Sequence, residues 1–259
     1  MPNKKHLVLA EIFKICKKRN DFVFDNDLVK KVSKKHRFGN PFDATKLDSI
    51  EKFPSILLKE DYFIIHKGQG KHKFIKGIAR GFHKFEPITP DKIIDWEYRK
   101  SILNEYDTSE SNMLSIVGNQ KVLHHFLYND IKATPKIYNA RRTKTSFEYL
   151  FNSEKIVMEN IQMEIDLTVE YKGVVTIFEG KNGQPENFAV YQLFHPFKYY
   201  TSIKDKNALP INRITACYIL RYREAGQTIL RLYNYTFEDK QNIGSIKLLK
   251  NAQYNLIKK

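Results

Sequence analysis

The sequence predicts an α/β protein in two parts, a small basic domain over residues 1–86 and a larger sheet-bearing domain over residues 87–259. Three observations carry this. The first 86 residues hold 17 Lys and 3 Arg against 10 acidic residues, so they supply +10 of the net +15. Pro87 and Pro90 bracket "FEPITPD", a stretch suited to a rigid linker. Beyond it, strand-like runs such as "VVTIF", "RITACYILRY" and "TILRLYNYTFE" are interspersed with helical patterns.

In the front part, Leu7, Val8, Glu11, Ile12 and Ile15 mark a helix, and Asp25 or Asn26 caps a second that carries Leu28, Val29 and Val32. Pro41 suits the first turn of a third helix, with Ala44, Leu47 and Ile50 inward and Thr45, Lys46, Ser49 and Lys52 outward, ended by Pro54. "SILLKEDYFIIHKGQGKHKFIKG" then reads as a strand, a turn at Gly68–Gly70 and a second strand, with Lys67, Lys71 and Lys73 at its tip.

In the rear part, "PDKIIDWEYRKSILNEY" and "SNMLSIVGNQKVLHHFLYND" carry helical patterns. His124 and His125 are adjacent, and neighbours on a helix point about 100° apart, so they do not grip one metal. Strands follow at "TPKIYNA", "IQMEIDLTVEY" and "VVTIF", and a helix is expected from Pro185 with Val190, Leu193 and Phe197 inward, kinked or ended by Pro196.

At 259 residues and 42% hydrophobic, the chain has enough apolar material for one large core or two modest ones. A charge of +15 points to an anionic partner, nucleic acid or a membrane surface. No run of 18 apolar residues exists, and Glu11 and Lys14 interrupt the only apolar stretch near the N-terminus, unlike a signal peptide. The expectation is a soluble cytoplasmic protein with no membrane partner. Cys16 and Cys217 stand alone, without CxxC spacing, and are expected as reduced core residues rather than zinc ligands.

The chemistry concentrates in "IQMEIDLTVEYKGVVTIFEGKNG". Side chains alternate along strands, so Glu164 and Asp166 share one face, as do Glu179 and Lys181. If the strands pair about a turn at Tyr171–Gly173, Asp166 and Glu179 become near cross-strand neighbours. Two carboxylates so close repel unless a cation lies between them. Carboxylates with the Gly180 carbonyl form an oxygen set suited to Mg²⁺, and Lys181 is placed to orient a water and offset charge on a phosphorane. Glu164 fits either a second metal or a partner for Lys181. An acidic-x-Lys triplet also starts at Asp130, Glu170 and Glu238, but only Glu179 ends a strand apolar enough to be central in a sheet.

Two resemblances follow from these residues. Three short helices and a basic hairpin resemble a winged helix-turn-helix domain, which implies DNA contacts from Thr45, Lys46, Ser49 and Lys52 on the third helix and Lys67, Lys71 and Lys73 on the wing. "EID…TIFEGKNGQPENFAVYQLFHPF" resembles the core of the PD-(D/E)xK nuclease superfamily, in particular Type II restriction endonucleases, closely over Ile161–Tyr200 and loosely elsewhere. That resemblance implies a mixed sheet flanked by helices, Asp166 and Glu179 as metal ligands, Lys181 as catalytic lysine and Gln192 beside them. The family's Pro before the first acidic residue is replaced by Ile165.

By resemblance the function is Mg²⁺-dependent, sequence-specific hydrolysis of double-stranded DNA giving 5′-phosphate and 3′-hydroxyl ends, in a bacterial or archaeal cell that carries a cognate DNA methyltransferase. A homodimer would match the two-fold symmetry of a palindromic site. Two other readings stay open: a repair or recombination nuclease that recognises structure or a mismatch, and a DNA-binding regulator whose rear half is only a scaffold.

Overall fold

The computed structural model describes residues 3–99, 101–103, 109–206 and 208–258. In the front part, helix α1 (Lys4–Arg19) buries Val8, Leu9, Ile12, Phe13 and Cys16, its capped start provided by Asn3. Strand β1 (Val23–Asp25) leads into α2 (Asn26–Lys35), where the Asp25 carboxylate accepts the Leu28 N–H at 2.9 Å. After α3 (Ser55–Lys59), β2 (Tyr62–Gly68) and β3 (Lys71–Lys76) form the expected hairpin. With β1 they make a three-stranded antiparallel sheet in the order β1-β3-β2.

The third helix expected from Pro41 to Pro54 does not form. Two 3-10 turns, Pro41–Asp43 and Ile50–Lys52, flank an irregular segment. Ala44, Thr45, Leu47 and Ser49 are all buried, and on an α-helix these four would span more than half the circumference. Only a non-helical path sends all four inward. Ser55–Lys59, expected as strand, is helix α3.

β4 (Phe82–Lys84) closes the front part, and the rear part contains β5 (Ile93–Tyr98), α4 (Glu110–Asn119), α5 (Val122–Tyr128), β6 (Lys136–Tyr138), β7 (Arg141–Phe151), β8 (Glu154–Ile165), β9 (Leu167–Tyr171), β10 (Val174–Asn182), β11 (Asn187–Ala189), α6 (Tyr191–Asp205), β12 (Arg213–Glu224), β13 (Gln227–Phe237) and β14 (Ile246–Lys258). Seven strands make a mixed sheet, β5-β14-β13-β12-β10-β9-β6, in which β10–β12 and β14–β5 are parallel. The chain is thus mixed α/β. β10 is an interior strand: Phe178 packs with α4 and α5 on one face, while Val175 and Ile177 join the core of α6 and the front part on the other.

Three further expectations change. The segment expected as helix from Pro90 holds β5, whose Ile94, Trp96 and Tyr98 alternate inward with period two; its partner, Gln253–Lys258, is some 160 residues away in sequence, so no local signal reports it. Residues 100 and 104–106 of that stretch lie outside the described residues. The helix expected from Pro185 begins at Tyr191, because Asn187–Ala189 pairs with Phe82–Lys84 as β11–β4. Pro196 lies inside α6, which continues to Asp205. Burial of Leu193, Phe194, Phe197 and Tyr200 on that helix outweighs the roughly 3 kcal/mol an interior proline costs.

β7 and β8 form a long separate hairpin turned at Asn152, which sits at φ 57°. The chain expected as one strand over Ile161–Tyr171 bends at Asp166, leaving β8 in this hairpin and β9 in the main sheet. The bend puts Asp166 where the two sheets part.

Candidate active site

β9 and β10 are antiparallel, and Phe178 faces Leu167 in the last pair of their ladder. One step further, Asp166 and Glu179 come together, with the Gly180 N–H donating to Asp166 Oδ2 at 3.2 Å. Burial raises the Asp166 pKa, the Gly180 N–H works against it, and Glu110 and Glu164 add to the rise. Burial foremost, then Asp166 and Glu110, push Glu179 well above the usual carboxylate range. From the first turn of α6, Gln192 Nε2 donates to Glu179 Oε1 at 2.7 Å.

Lys181 lies two residues beyond Glu179 on the same strand face. Its ammonium stands 3.3 Å from Asp48 Oδ2 and 3.4 Å from Glu110 Oε1. Burial pulls its pKa down, but these two carboxylates prevail and hold it above the ordinary lysine value. Asp48 also receives Lys52 at 2.5 Å; burial would raise its pKa, yet Lys52 and Lys181 bring it down. Glu164 does not take the lysine: it pairs with Arg142 Nε at 3.4 Å, with over half of its side chain exposed.

Asp48 and Glu110 escape the sequence reading. Glu110 had a legible signal, for Ser109 caps α4 by accepting the Asn112 N–H at 3.1 Å, which places the next residue in the first helical turn. Asp48 had none, because only the irregular path of residues 44–49 carries it to β10.

Of the residues nominated for DNA, Thr45 and Ser49 are 4% and 8% exposed. This corrects their outward placement, and the absent third helix is the reason. Lys46 and Lys52 are exposed, although Lys52 is tied to Asp48. Lys71 is exposed, Lys67 half-buried, and Lys73 is bound to Glu154 of β8. The hairpin tip is pressed onto β8: a Cβ at Gly68 (φ 92°) would lie 2.0 Å from the Glu159 carbonyl oxygen, so only glycine fits.

A cavity of about 790 Å³ is lined by residues of both parts, among them Asp166 and Glu179 of the rear and Lys46, Asp48 and Lys52 of the front. Among the described residues no group of three or more His, Cys, Asp or Glu gathers as a metal cluster. The donor set still suits a hard divalent cation: two adjacent carboxyl groups that no cation among the described residues pairs with, since Lys181 is engaged by Asp48 and Glu110. His125 Nδ1 bonds Tyr254 Oη at 2.8 Å and His124 lies buried apart from it. Cys16 and Cys217 are buried free thiols. No helix among the described residues is long and apolar enough to cross a membrane.

Residues 77–255 match a family described as Domain of unknown function (DUF6997), and residues 5–74 match Domain of unknown function (DUF6996). No curated protein and no solved structure matches the chain.

Proposed function

The chain belongs to the DUF6997 family, and we propose that it is a Mg²⁺-dependent endonuclease of double-stranded DNA, of the PD-(D/E)xK superfamily and the Type II restriction kind. The observation that carries this reading is the junction of β9 and β10, where Asp166 and Glu179 stand together at the end of an interior strand with Lys181 two residues on and Gln192 bonded to Glu179. Two desolvated carboxylates held side by side weaken a fold, and a cation-dependent phosphodiesterase is a function that needs them there.

Asp166 and Glu179, with the Gly180 carbonyl, would hold Mg²⁺, which when bound supplies positive charge at a phosphoryl oxygen and acidifies water. The chain's own groups do the rest. Lys181, kept protonated by Glu110 and Asp48, orients the attacking water and offsets charge as the phosphorane forms. Gln192 fixes the Glu179 carboxylate, and the Gly180 N–H fixes that of Asp166. Hydrolysis is in line and leaves 5′-phosphate and 3′-hydroxyl ends. The front part, with the element order and sheet of a winged helix, binds the duplex backbone through exposed Lys46 and Lys71, and a homodimer cuts both strands.

The test is incubation of plasmid with protein and Mg²⁺, repeated with Asp166→Ala and Lys181→Ala. Discrete fragments that need Mg²⁺ and vanish in both variants support the reading. Undiminished cleavage by either variant removes it, and tight salt-dependent binding without cleavage turns it toward the regulator.

A further inference from the structure

Where the front part meets the β7–β8 hairpin lies a second hollow of about 730 Å³, which adjoins the cavity of the paired carboxylates and shares Lys46, His66, Gly68 and Gln162 with it. Its charge is of one sign. Lys46, Lys71 and Lys144 line it and no Asp or Glu does, whereas the neighbouring cavity carries Asp43, Asp48, Glu164, Asp166 and Glu179. Nearby, Lys5 is paired with Asp43, Lys52 with Asp48 and Lys73 with Glu154, but Lys46, Lys71 and Lys144 are exposed and join no ion pair among the described residues. Like charges around one hollow repel, and an anion among them relieves that repulsion.

β7 and β8 build one wall of this hollow. Lys144 faces Gln162 across their ladder, and both are exposed while Ile161 and Met163, to either side of Gln162, are buried. Asn160 and Gln69 are exposed on the lining as well, so amides stand among the ammonium groups. Phe42, in the turn Pro41–Asp43, is 59% exposed, and the Lys30 ammonium lies 5.9 Å from its ring centroid. Every other lining residue is polar or glycine. An exposed phenyl ring among lysines and amides is the composition of a groove that follows a sugar-phosphate backbone and stacks its bases. The volume falls within the range that encloses small organic molecules, about 300–1,000 Å³. A short run of one strand fits there, and a duplex, whose major groove alone is about 12 Å wide, does not.

We propose that this hollow holds a single-stranded segment of DNA, its phosphates on Lys46, Lys71 and Lys144 and a base stacked on Phe42, continuous with the strand that lies at Asp166 and Glu179. The proposal rests on the nuclease reading and adds a substrate preference to it: a duplex with an unpaired flank beside the cleavage point is cut faster than a blunt one. Lys144, on the β7–β8 hairpin, becomes a phosphate contact outside the front part.

The test uses the full chain in Ca²⁺ and two labelled probes, an oligothymidylate of about 12 nucleotides, within the span such grooves follow, and a blunt duplex of the same length, with binding read by fluorescence anisotropy. Phe42→Ala is expected to weaken the oligothymidylate about tenfold, as loss of one stacked base does, and to leave the blunt duplex within about twofold. Lys144→Ala is expected to reduce the slope of log affinity for the oligothymidylate against log salt by about 0.7, the value for one phosphate of a single strand. Lys132→Ala, at an exposed lysine outside the lining, should change neither. Single-strand binding unmoved by Phe42→Ala or by Lys144→Ala, or weakened as much by Lys132→Ala, overturns the proposal. Cleavage in Mg²⁺ of duplexes with and without a single-stranded flank separates the two readings. Cleavage indifferent to the flank removes the groove and leaves the nuclease; single-strand binding that needs Phe42 and Lys144, without cleavage of either duplex, removes the nuclease and leaves the groove.

Discussion

Asp48, from the irregular segment of the front part, places its carboxylate 3.3 Å from the ammonium of Lys181 on β10. The residue nominated for catalysis thus takes one of its two counter-ions from each part of the chain, Asp48 from the front and Glu110 from the rear. Removing Asp48 lowers the pKa of Lys181, which the two carboxylates hold up. In Asp48→Asn, Mg²⁺-dependent cleavage is expected to fall about tenfold, with the alkaline limb of its pH profile moved to lower pH. Rates measured across pH 7–10 decide it; an unshifted limb removes Asp48 from the site.

The paired carboxylates set function against stability. Glu179 is raised well above its ordinary value by burial and by Asp166, and a carboxyl group with a raised folded pKa contributes stability that is lost as pH rises through that pKa. In EDTA at pH 7.5, Glu179→Gln is therefore expected to melt higher than the parent, by about 1 kcal/mol of stability. Mg²⁺ should raise the melting temperature of the parent and leave the variant unmoved. Calorimetry with and without the ion checks both.

Buried His72 and His195 and half-buried His66 bias the fold against acid. Burial lowers His66 to about 4 and His72 and His195 to about 3, against about 6.5 in an unfolded chain. Below pH 6.5 the unfolded state binds more protons, so stability is full above that value and declines toward pH 4, each histidine contributing up to about 1.4 kcal/mol per pH unit. His195→Phe should show a shallower fall of melting temperature between pH 7.5 and 5 than the parent does. Parallel curves would place His195 in a wetter setting.

Binding of duplex DNA distinguishes the lysines. Lys46→Ala and Lys71→Ala are each expected to reduce the slope of log affinity against log salt concentration by about one, as loss of a single phosphate contact does. Thr45→Val, at a buried position, should leave that slope unchanged. Filter binding from 50 to 300 mM salt gives the comparison.

What the sequence made legible was whatever rests on local periodicity. "VVTIF" announces an interior strand, and the turn at Lys172–Gly173, both at positive φ, sets the register that brings Asp166 to Glu179. Gln192 was placed by the resemblance, which implies a Gln in the helix that follows the Lys181 strand. The failures share a cause, which is long-range pairing or burial overriding a local pattern. Ile93–Tyr98 becomes a strand only because Gln253–Lys258 lies beside it. Residues 187–189 leave the expected helix because Phe82–Lys84 claims them. Thr45 and Ser49 turn inward because four neighbouring residues enter the core at once, and Asp48 reaches the site by the same path.

The contact of Gly68 with the Glu159 carbonyl, reinforced by Lys73 on Glu154, makes the front hairpin and the β7–β8 hairpin a single jaw. A graft that exchanged Tyr62–Lys76 alone between relatives would set a foreign surface against β8. To move this surface from one scaffold to another, both hairpins must travel together.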